Sequence, residues 1–408
     1  GMNGDDFIDG GSGNDRMFGG NGTDIVSYAT ATAGVTVNLL TTLDQDTKGA
    51  GLDSLSGFEE LRGSAFGDRL TGNNLNNTLD GGDGGDILDG RLGIDTMRGG
   101  KGEDTYYVDN AGDVVADIAG EGNKDAIYSS VDFDLDLAPN VENLFAAATA
   151  IADLKLGGSA GDNYMRGSSF KDTLIGDAGN DLLNGGLEAD LMIGGLGNDI
   201  FYVDHVSDIV QDGVGEGTTD TVYASVNFTL GAGQEIDYLN ANAGPSGLTL
   251  TGNELTNRIR GSNGGNDVLS GGGAGDILYG QAGDDRLAGG LGVDSIYGGG
   301  GKDTFVLRNS SLDRDVLLDY VAVDDTLEVS AALFGGGLKV GVLAASQFLS
   351  NLDGNVANGG SVNTRFVYNS AAGLLYFDAD GTGAAAKVLI AQLPSLPSLN
   401  FDDILVVT

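Results

Sequence analysis

The stretch Gly81–Tyr107, GGDGGDILDGRLGIDTMRGGKGEDTYY, decides the fold. Aspartates recur in it every nine residues, at positions 86, 95 and 104. An apolar or aromatic residue follows two places after each aspartate, and glycines precede it. The stretch therefore repeats a nine-residue unit, G-G-x-G-x-D-x-U-x, in which U is an apolar residue at position 8.

The unit occurs in four blocks, which cover residues 1–27, 63–107, 158–202 and 252–306. Position 8 is apolar or aromatic in every unit, from Ile8 to Phe305. Position 6 is held by Asp6, Asp15, Asp24, Asp68, Asn77, Asp86, Asp95, Asp104, Asn163, Asp172, Asp181, Asp190, Asp199, Asn257, Asp267, Asp276, Asp285, Asp294 and Asp303. A flexible Gly/Asp-rich linker would not keep this register.

The end of each unit, x-U-x, predicts a short strand that buries one side chain and exposes its two neighbours. Such a strand cannot hold a core alone, but stacked copies bury a ladder of U residues. Two units per coil place residues eighteen apart one above the other, at the strand spacing of roughly 4.8 Å. The sequence therefore predicts an all-β parallel solenoid in which Asp86 stacks on Asp104 and Asp285 on Asp303.

The stacked turns predict a cation site. Two carboxylates at this spacing repel each other unless a cation lies between them. Glycines allow the turn backbone to adopt positive φ and to direct its carbonyls toward the same point. Carboxylate and carbonyl oxygens suit Ca²⁺ better than Zn²⁺ or Cu²⁺.

The repeat resembles the hemolysin-type calcium-binding family, also called RTX (repeats in toxin), for which this nonapeptide is the signature. The resemblance implies a right-handed parallel β-roll in which the first six residues of each unit bind Ca²⁺ and the last three form strand. It also implies export by a type I secretion machinery. Matching by position, the position-6 aspartates and Asn77 would give side-chain ligands. Turn carbonyls would come from glycines such as Gly81, Gly82, Gly84, Gly185, Gly186, Gly271 and Gly289.

We expect about ten Ca²⁺ ions between turns eighteen residues apart. The best sites should join Asp86 with Asp104, Asp172 with Asp190, Asp181 with Asp199, Asp267 with Asp285, Asp276 with Asp294 and Asp285 with Asp303. Asn77, Asn163 and Asn257 open three blocks with a neutral side chain. The first turn of each block is therefore expected to bind weakly or to act as a lead-in.

The inserts between blocks also repeat, because the 32 residues from Asp104 match those from Asp199 at an offset of 95. Their alternating apolar residues predict strands. We expect wider solenoid coils that join the blocks into one domain, 1–307. Acids at matching positions either form further cation sites or are solvated turn residues: Asp113 and Asp208, Glu121 and Glu216, and Asp125 and Asp220.

After Phe305 the nonapeptide ends, and residues 308–408 are predicted to form a C-terminal β domain. Residues 365–393 read as a three-strand meander with AAG and DGTG as its turns. The tail FDDILVVT resembles the uncleaved C-terminal export signal of RTX proteins. A buried last strand explains the tail equally well.

The net charge of the chain restricts the kinds of partner that it could bind. The chain carries 60 acids against 20 bases, a net charge of −40, which disfavours nucleic acid and anionic membrane surfaces. The longest apolar run, residues 144–152, is too short for a spanning helix. Residues 1–25 are polar and Gly-rich, so we expect no N-terminal signal peptide. The predicted location is extracellular.

The residues do not predict an enzyme. His205 is the single histidine, so the chain can form neither an HExxH zinc site nor a pair of imidazole bases. Residues 157–161 match G-x-S-x-G, but they lie in a repeat turn rather than in a strand-to-helix elbow. Periodic placement of the aspartates favours ligation over glycosidase chemistry.

Two functions remain open. The first is a secreted, non-catalytic Ca²⁺-binding protein with a structural, adhesive or matrix role, whose partner is an extracellular polysaccharide or a cell surface. The second is the C-terminal region of a larger RTX enzyme, such as a lipase, protease, alginate epimerase or glycanase. The repeat register already runs at Gly1, which suits a truncated chain. The true start of the encoding gene would decide between them.

Overall fold

The computed structural model describes residues 1–118, 124–213, 215–242, 244, 246–310, 312–355, 357, 359–381 and 387–408. It is a parallel β-solenoid built from short strands, as the repeat predicts. The chain divides into two compact units: Gly1–Asp199 with Ser207–Ile209, and Ile200–Val206 with Val210–Thr408.

The strands of the first unit form two long parallel ladders and two smaller sheets. One ladder contains Phe7–Asp9, Ile25–Ser27, Glu60–Arg62, Thr78–Asp83, Thr96–Lys101 and Val114–Ala116. The second contains Thr36–Asn38, Arg69–Thr71, Ile87–Asp89, Thr105–Val108, Ala126–Ser129, Asn143–Ala146, Tyr164–Arg166 and Leu182–Asn184. The remaining strands are Arg16–Phe18, Gln45–Asp46, Leu52–Ser56, Phe133–Asp134, Lys155–Ser159, Thr173–Ala178 and Leu191–Leu196, and a 3₁₀ turn covers Leu135–Leu137. The strand Ile209–Gln211 begins in this unit.

The strands of the second unit form two further ladders. The first contains Ile200–Val203, Thr221–Ala224, Tyr238–Ala241, Arg258–Arg260, Ile277–Ala282, Ser295–Gly300 and Asp315–Leu317, and continues into Val388–Gln392, Leu374–Phe377, Phe366–Asn369 and Phe348–Asn351. The second contains Phe228–Thr229, Thr249–Thr251, Val268–Gly272, Arg286–Gly290, Thr304–Leu307, Thr326–Ser330, Ile404–Val407 and Gly341–Val342. Its helical turns are Ala331–Phe334, Ala345–Gln347 and Phe401–Asp403. Among the described residues, no helix has the length and apolarity that crossing a bilayer requires.

The position-8 side chains form the core of both units. Leu88 pairs in register with Leu70 on one side and with Tyr106 on the other, eighteen residues away in each direction. Position-8 side chains from Val26 to Phe305 are fully buried, Met17 is 4% exposed, and Ile8 in the first coil is half-buried. The prediction that U faces inward is confirmed.

The second insert forms strands that continue the parallel ladder, as predicted. Tyr106 pairs with Ile127, Ile127 with Leu144 and Leu144 with Met165. The steps along the chain are 21, 17 and 21 residues, so two of these coils are wider than the eighteen-residue coil, as expected, and one is slightly narrower. Wide and narrow coils alternate here because the register follows the apolar residues rather than a fixed loop length.

The first insert, residues 28–62, adds an antiparallel pair to the parallel strands. Val26 pairs with Leu61, 35 residues later, which leaves more chain than one coil needs. Part of the excess folds back as an antiparallel pair, Gln45–Asp46 with Leu52–Asp53. Lys48 takes a positive φ of 66° at this reversal.

The predicted meander near the C-terminus is confirmed. Phe366–Asn369, Leu374–Phe377 and Val388–Gln392 pair antiparallel in that order. Gly373 adopts φ 67° in the first turn, whereas residues 382 and 383 of the second turn lie outside the described residues. The tail forms a strand beside Thr326–Ser330 and buries Ile404 and Val406.

Candidate metal centre

The position-6 side chains lie at the turn that precedes each strand, half-buried at Asp6 and Asp15 and buried from Asp24 onward, and they form a series that we call the carboxylate ladder. The backbone N–H of Asp86 donates to Oδ1 of Asp104, one coil later, at 2.8 Å. The same bond joins all six predicted pairs: Asp86 to Asp104, Asp172 to Asp190, Asp181 to Asp199, Asp267 to Asp285, Asp276 to Asp294 and Asp285 to Asp303, at 2.7–2.9 Å. The structure thus brings each pair together, and their role as ligands stays a prediction.

The second oxygen of many ladder carboxylates has no protein partner. In the described residues Oδ2 is buried and accepts no hydrogen bond in Asp15, Asp24, Asp86, Asp95, Asp104, Asp125, Asp181, Asp276 and Asp285. A buried, unsatisfied carboxylate oxygen costs free energy unless another group or ion neutralises it. These oxygens are where a cation would bind.

In the nonapeptide turns, glycine at position 1 leaves the space beside these oxygens. A Cβ on Gly81 would lie closer than 3.0 Å to Oδ2 of Asp86 and 2.7 Å from the carbonyl oxygen of Gly99, one coil later. A Cβ on Gly271 would meet Oδ2 of Asp276 in the same way. The carboxylate oxygen and a glycine carbonyl therefore face one small gap, and oxygen donors of this kind suit Ca²⁺.

Glycine is required in these turns for two different reasons, which depend on its position in the repeat unit. Gly82, Gly84 and Gly186, at positions 2 and 4, adopt φ of 109°, 130° and 96°. The position-1 residues Gly81, Gly185, Gly271 and Gly289 do not adopt positive φ. They are needed because a Cβ would fill the gap beside the carboxylates of Asp86, Asp190, Asp276 and Asp294, respectively. The expectation of positive φ is therefore correct at positions 2 and 4 and wrong at position 1.

Burial and mutual repulsion raise the pKa of several ladder carboxyls. Burial raises the pKa of Asp86 to about 7, with further contributions from the Asp104 and Asp68 charges. Burial likewise raises the pKa of Asp95 and Asp276 to about 7 and that of Asp285 to about 6. Protons and a metal ion would therefore compete for these oxygens close to neutral pH.

At the opening of the later blocks, protein groups satisfy the position-6 side chains. Asn77 accepts from the Asn73 N–H at 2.7 Å and donates to the Glu59 carbonyl at 3.2 Å. Asp68 accepts from both the N–H and the hydroxyl of Ser64. Asn163 and Asn257 also donate to a backbone carbonyl. These bonds support weak metal binding at the lead-in turns, which stays a prediction.

In the first block, two of the three position-6 residues donate their N–H groups to acids much farther along the chain than eighteen residues. The N–H of Asp6 donates to Oδ1 of Asp24 at 2.8 Å, as in the other blocks. The N–H of Asp15 donates instead to Asp53 at 2.9 Å, and that of Asp24 to Glu59 at 3.0 Å. Acids outside the nonapeptide therefore complete these coils.

The ladder continues past the later blocks through acids that the nonapeptide does not include. The N–H groups of Asp95, Asp104, Asp294 and Asp303 donate to Asp113, Asp125, Asp315 and Asp325, respectively, at 2.6–3.3 Å. Glu142 accepts from Asp125 in turn, at 3.0 Å. The signal for these residues is an acid two places before a buried apolar residue, as in Asp125-Ala-Ile127, without the glycines.

The acids at matching positions in the inserts divide into three kinds. Asp113 and Asp125 belong to the ladder of the first unit, and Asp208 accepts there from the Asp190 N–H at 3.1 Å. The N–H of Asp220 donates to Asp237 at 2.9 Å within the second unit. Glu216 accepts from Gly213 in its own turn, and Glu121 lies outside the described residues.

Comparison with known proteins agrees with the repeat register. A family model described as RTX calcium-binding nonapeptide repeat (4 copies) matches residues 1–27, 62–97, 80–115, 157–192, 166–201, 251–287, 261–296 and 279–308. No curated protein matches the chain. Solved structures that match include an extracellular lipase, LipA from Serratia marcescens, at 16% identity over 73% of this chain and 45% of the lipase, with a TM-score of 0.18. The chain thus spans less than half of that lipase.

Proposed function

We propose, from the chain's membership of the RTX calcium-binding nonapeptide repeat family, that it is a secreted protein whose solenoid folds when Ca²⁺ binds between stacked turns. The observation that carries the proposal is the row of buried Oδ2 oxygens without partners, which in the nonapeptide turns face a glycine gap. An unfolded chain has no comparable site, so the free energy of Ca²⁺ binding becomes free energy of folding.

Neutralisation of the chain's negative charge by Ca²⁺ would also favour the folded state. About ten Ca²⁺ ions would bring roughly +20 to a chain of net charge −40, which reduces the repulsion that favours expanded states. Extracellular modules bind Ca²⁺ with dissociation constants of about 10⁻⁴ to 10⁻³ M. The chain would then stay unfolded where Ca²⁺ is scarce and fold outside the cell, which suits export through a type I secretion machinery.

A Ca²⁺ titration of the metal-stripped full chain tests this function. Circular dichroism and the hydrodynamic radius should change together from an expanded chain to a compact β-rich one as Ca²⁺ rises into the millimolar range. Mg²⁺ at equal concentration is the control and should not produce the transition, because Mg²⁺ demands a tighter octahedral site. A compact β-rich chain without Ca²⁺, or equal folding in Mg²⁺, would contradict the proposal.

Residues 308–408 are proposed as a C-terminal β domain that keeps its structure without Ca²⁺. The support is an aromatic cluster: Phe377 lies 4.9 Å from Phe334 and 5.2 Å from Phe366 between ring centroids, and all three are buried. Such a core needs no cation. Hydrogen exchange in chelator should therefore leave amides of Phe366–Asn369 protected while those of Thr96–Lys101 exchange freely.

An adhesive role is supported by a groove of about 400 Å³ in the second unit. Its lining residues are Tyr238, Asn240, Arg258, Arg260, Tyr279 and Gln281, with two arginines and no acid among them, in a chain of net charge −40. The Arg258 guanidinium lies 5.0 Å from the Tyr279 ring centroid and donates to its hydroxyl. Tyr279 and Tyr297 stack at 4.8 Å.

Aromatic rings offer faces to the C–H groups of sugars, and guanidinium groups bind carboxylates. The coils repeat at the strand spacing of roughly 4.8 Å, close to the length of one pyranose unit. The partner proposed for the adhesive role is therefore an acidic extracellular polysaccharide.

A further inference from the structure

One group of acids in the first unit differs from the ladder pairs because a third carboxylate joins it. Asp104 is the last position-6 residue of its block, and Asp125 lies one coil later, where its Oδ1 accepts the Asp104 N–H at 2.6 Å. Asp117, from the insert between them, brings its carboxylate into the same place. One oxygen from each of the three residues lies within 4.8 Å of the others.

Two of these carboxylates are sealed from water, and one oxygen of each lacks a hydrogen-bond partner. Asp104 and Asp125 are 1% and 0% exposed, and Oδ2 of each accepts no hydrogen bond. The ion pairs found among the described residues do not include any of the three acids. Three carboxylates so close together repel one another strongly when no cation is present.

The surrounding residues hold Asp117 in position. The Tyr106 hydroxyl donates to its Oδ1 at 2.8 Å and accepts from the Gly99 N–H at 3.1 Å. The Asn140 side chain donates to the Asp117 carbonyl at 3.0 Å. The sequence repeats Asp117 and Asp125 at an offset of 95, as Asp212 and Asp220. Asp117 is therefore an oriented residue rather than a freely moving turn acid.

We propose that Asp104, Asp117 and Asp125 form a three-carboxylate site for Ca²⁺ that lies outside the nonapeptide turns and fastens the insert to the last turn of its block. This inference rests on the proposed function, because Asp104 also belongs to the ladder. A third carboxylate raises the ligand charge, which strengthens Ca²⁺ binding. The site should fill at lower Ca²⁺ than the two-carboxylate turns.

The experiment compares bound Ca²⁺ per full-length chain at fixed free Ca²⁺ for the wild type, Asp117→Asn and Asp136→Asn. Asp136 is an exposed acid of the same insert, so its variant loses the same charge away from the cluster. Asp117→Asn should bind one ion fewer than the wild type, and Asp136→Asn should bind the wild-type number. Equal numbers in all three would overturn the site.

The number of Ca²⁺ ions bound at the low free Ca²⁺ that fills this site gives a second readout that does not need Asp117 to be changed. Tyr106→Phe keeps all three carboxylates but removes the hydroxyl that holds Asp117, so affinity at this site should fall about tenfold or more. At that free Ca²⁺ Tyr106→Phe should lose one ion, while Tyr107→Phe should retain it. Retention in Tyr106→Phe would overturn the site, whereas a wild type that folds without Ca²⁺ would overturn the proposed function instead.

Discussion

Gly81 stands against Asp86 with no room for a side chain, since a Cβ at Gly81 would lie closer than 3.0 Å to Oδ2 of Asp86. That oxygen is buried and accepts no hydrogen bond. The gap between the two residues is therefore a part of the binding site, and the glycine is what keeps it open.

Gly81→Ala should remove one Ca²⁺ ion and lower the free energy of unfolding in Ca²⁺ by about 1–3 kcal/mol, because the methyl group overpacks the gap. Calcium stoichiometry and denaturant unfolding measure the two effects. Gly161→Ala is the control, since a Cβ there has no neighbour within 4 Å. Equal losses of Ca²⁺ and of stability in both variants would show that the gap beside Asp86 is not part of a binding site.

Ala274→Gly should stabilise the Ca²⁺-bound chain by about 0.5–1 kcal/mol, because Ala274 holds φ at 64°, where a Cβ is strained. Denaturant unfolding at saturating Ca²⁺ measures the gain. Ala288→Gly, in the strand Arg286–Gly290, should destabilise by about 0.5–1 kcal/mol. A loss of stability in Ala274→Gly would contradict the backbone argument.

Without metal, acid should favour the folded solenoid. Burial raises the pKa of Asp86 and Asp95 to about 7 from an ordinary value of 3.8, so the folded chain binds more protons than the unfolded chain between those values. The free energy of unfolding should therefore fall as pH rises through this window. Circular dichroism in metal-free buffer should show more β structure at pH 5.5 than at pH 8.

With saturating Ca²⁺, this dependence on pH should disappear. The bound ion displaces the protons from the folded chain, and the unfolded carboxyls stay ionised at these pH values, so the free energy of unfolding should be the same at pH 8 and at pH 5.5. A fall as large as the one in metal-free buffer would show that the ion does not displace these protons.

The double variant Arg258→Ala/Arg260→Ala should lose binding to a short oligouronate, because both guanidinium groups line the groove. Calorimetry with the folded, Ca²⁺-loaded chain measures the loss, expected to be about tenfold or more. Arg308→Ala is the control, since Arg308 does not line this groove and pairs with Asp313. Equal binding by the double variant, or equal binding of neutral dextran, would contradict a site for acidic sugars.

Most of the fold that could be predicted from the sequence followed from the residues that recur every nine positions. Leu88 and Tyr106 pair in register, and Asp86 lies next to Asp104, because a nine-residue unit leaves few ways to stack. The use of Ser64 to satisfy Asp68 was not predictable, since it depends on where one hydroxyl points in the turn. Asp117 was missed for a related reason: nothing in its local sequence shows that a buried tyrosine will hold it.

Acids such as Glu142 could have been found. Each stands two places before a buried apolar residue, as the position-6 aspartates do, but lacks the glycines that mark the repeat. The first insert could not be derived, because the surplus chain between Val26 and Leu61 has several ways to fold back.

The carboxylate ladder has a direction. In each step the N–H of one coil donates to the carboxylate of the coil that follows it along the chain, as Asp267 does to Asp285 and Asp285 does to Asp303. The N–H group of each coil thus finds its acceptor only in the next coil along the chain. New coils can therefore add in register at one end of the ladder. A chain entering a Ca²⁺-rich compartment with its C-terminal end first would present every acceptor before its donor arrives. Each arriving coil would add to a completed template and hinder backward slippage.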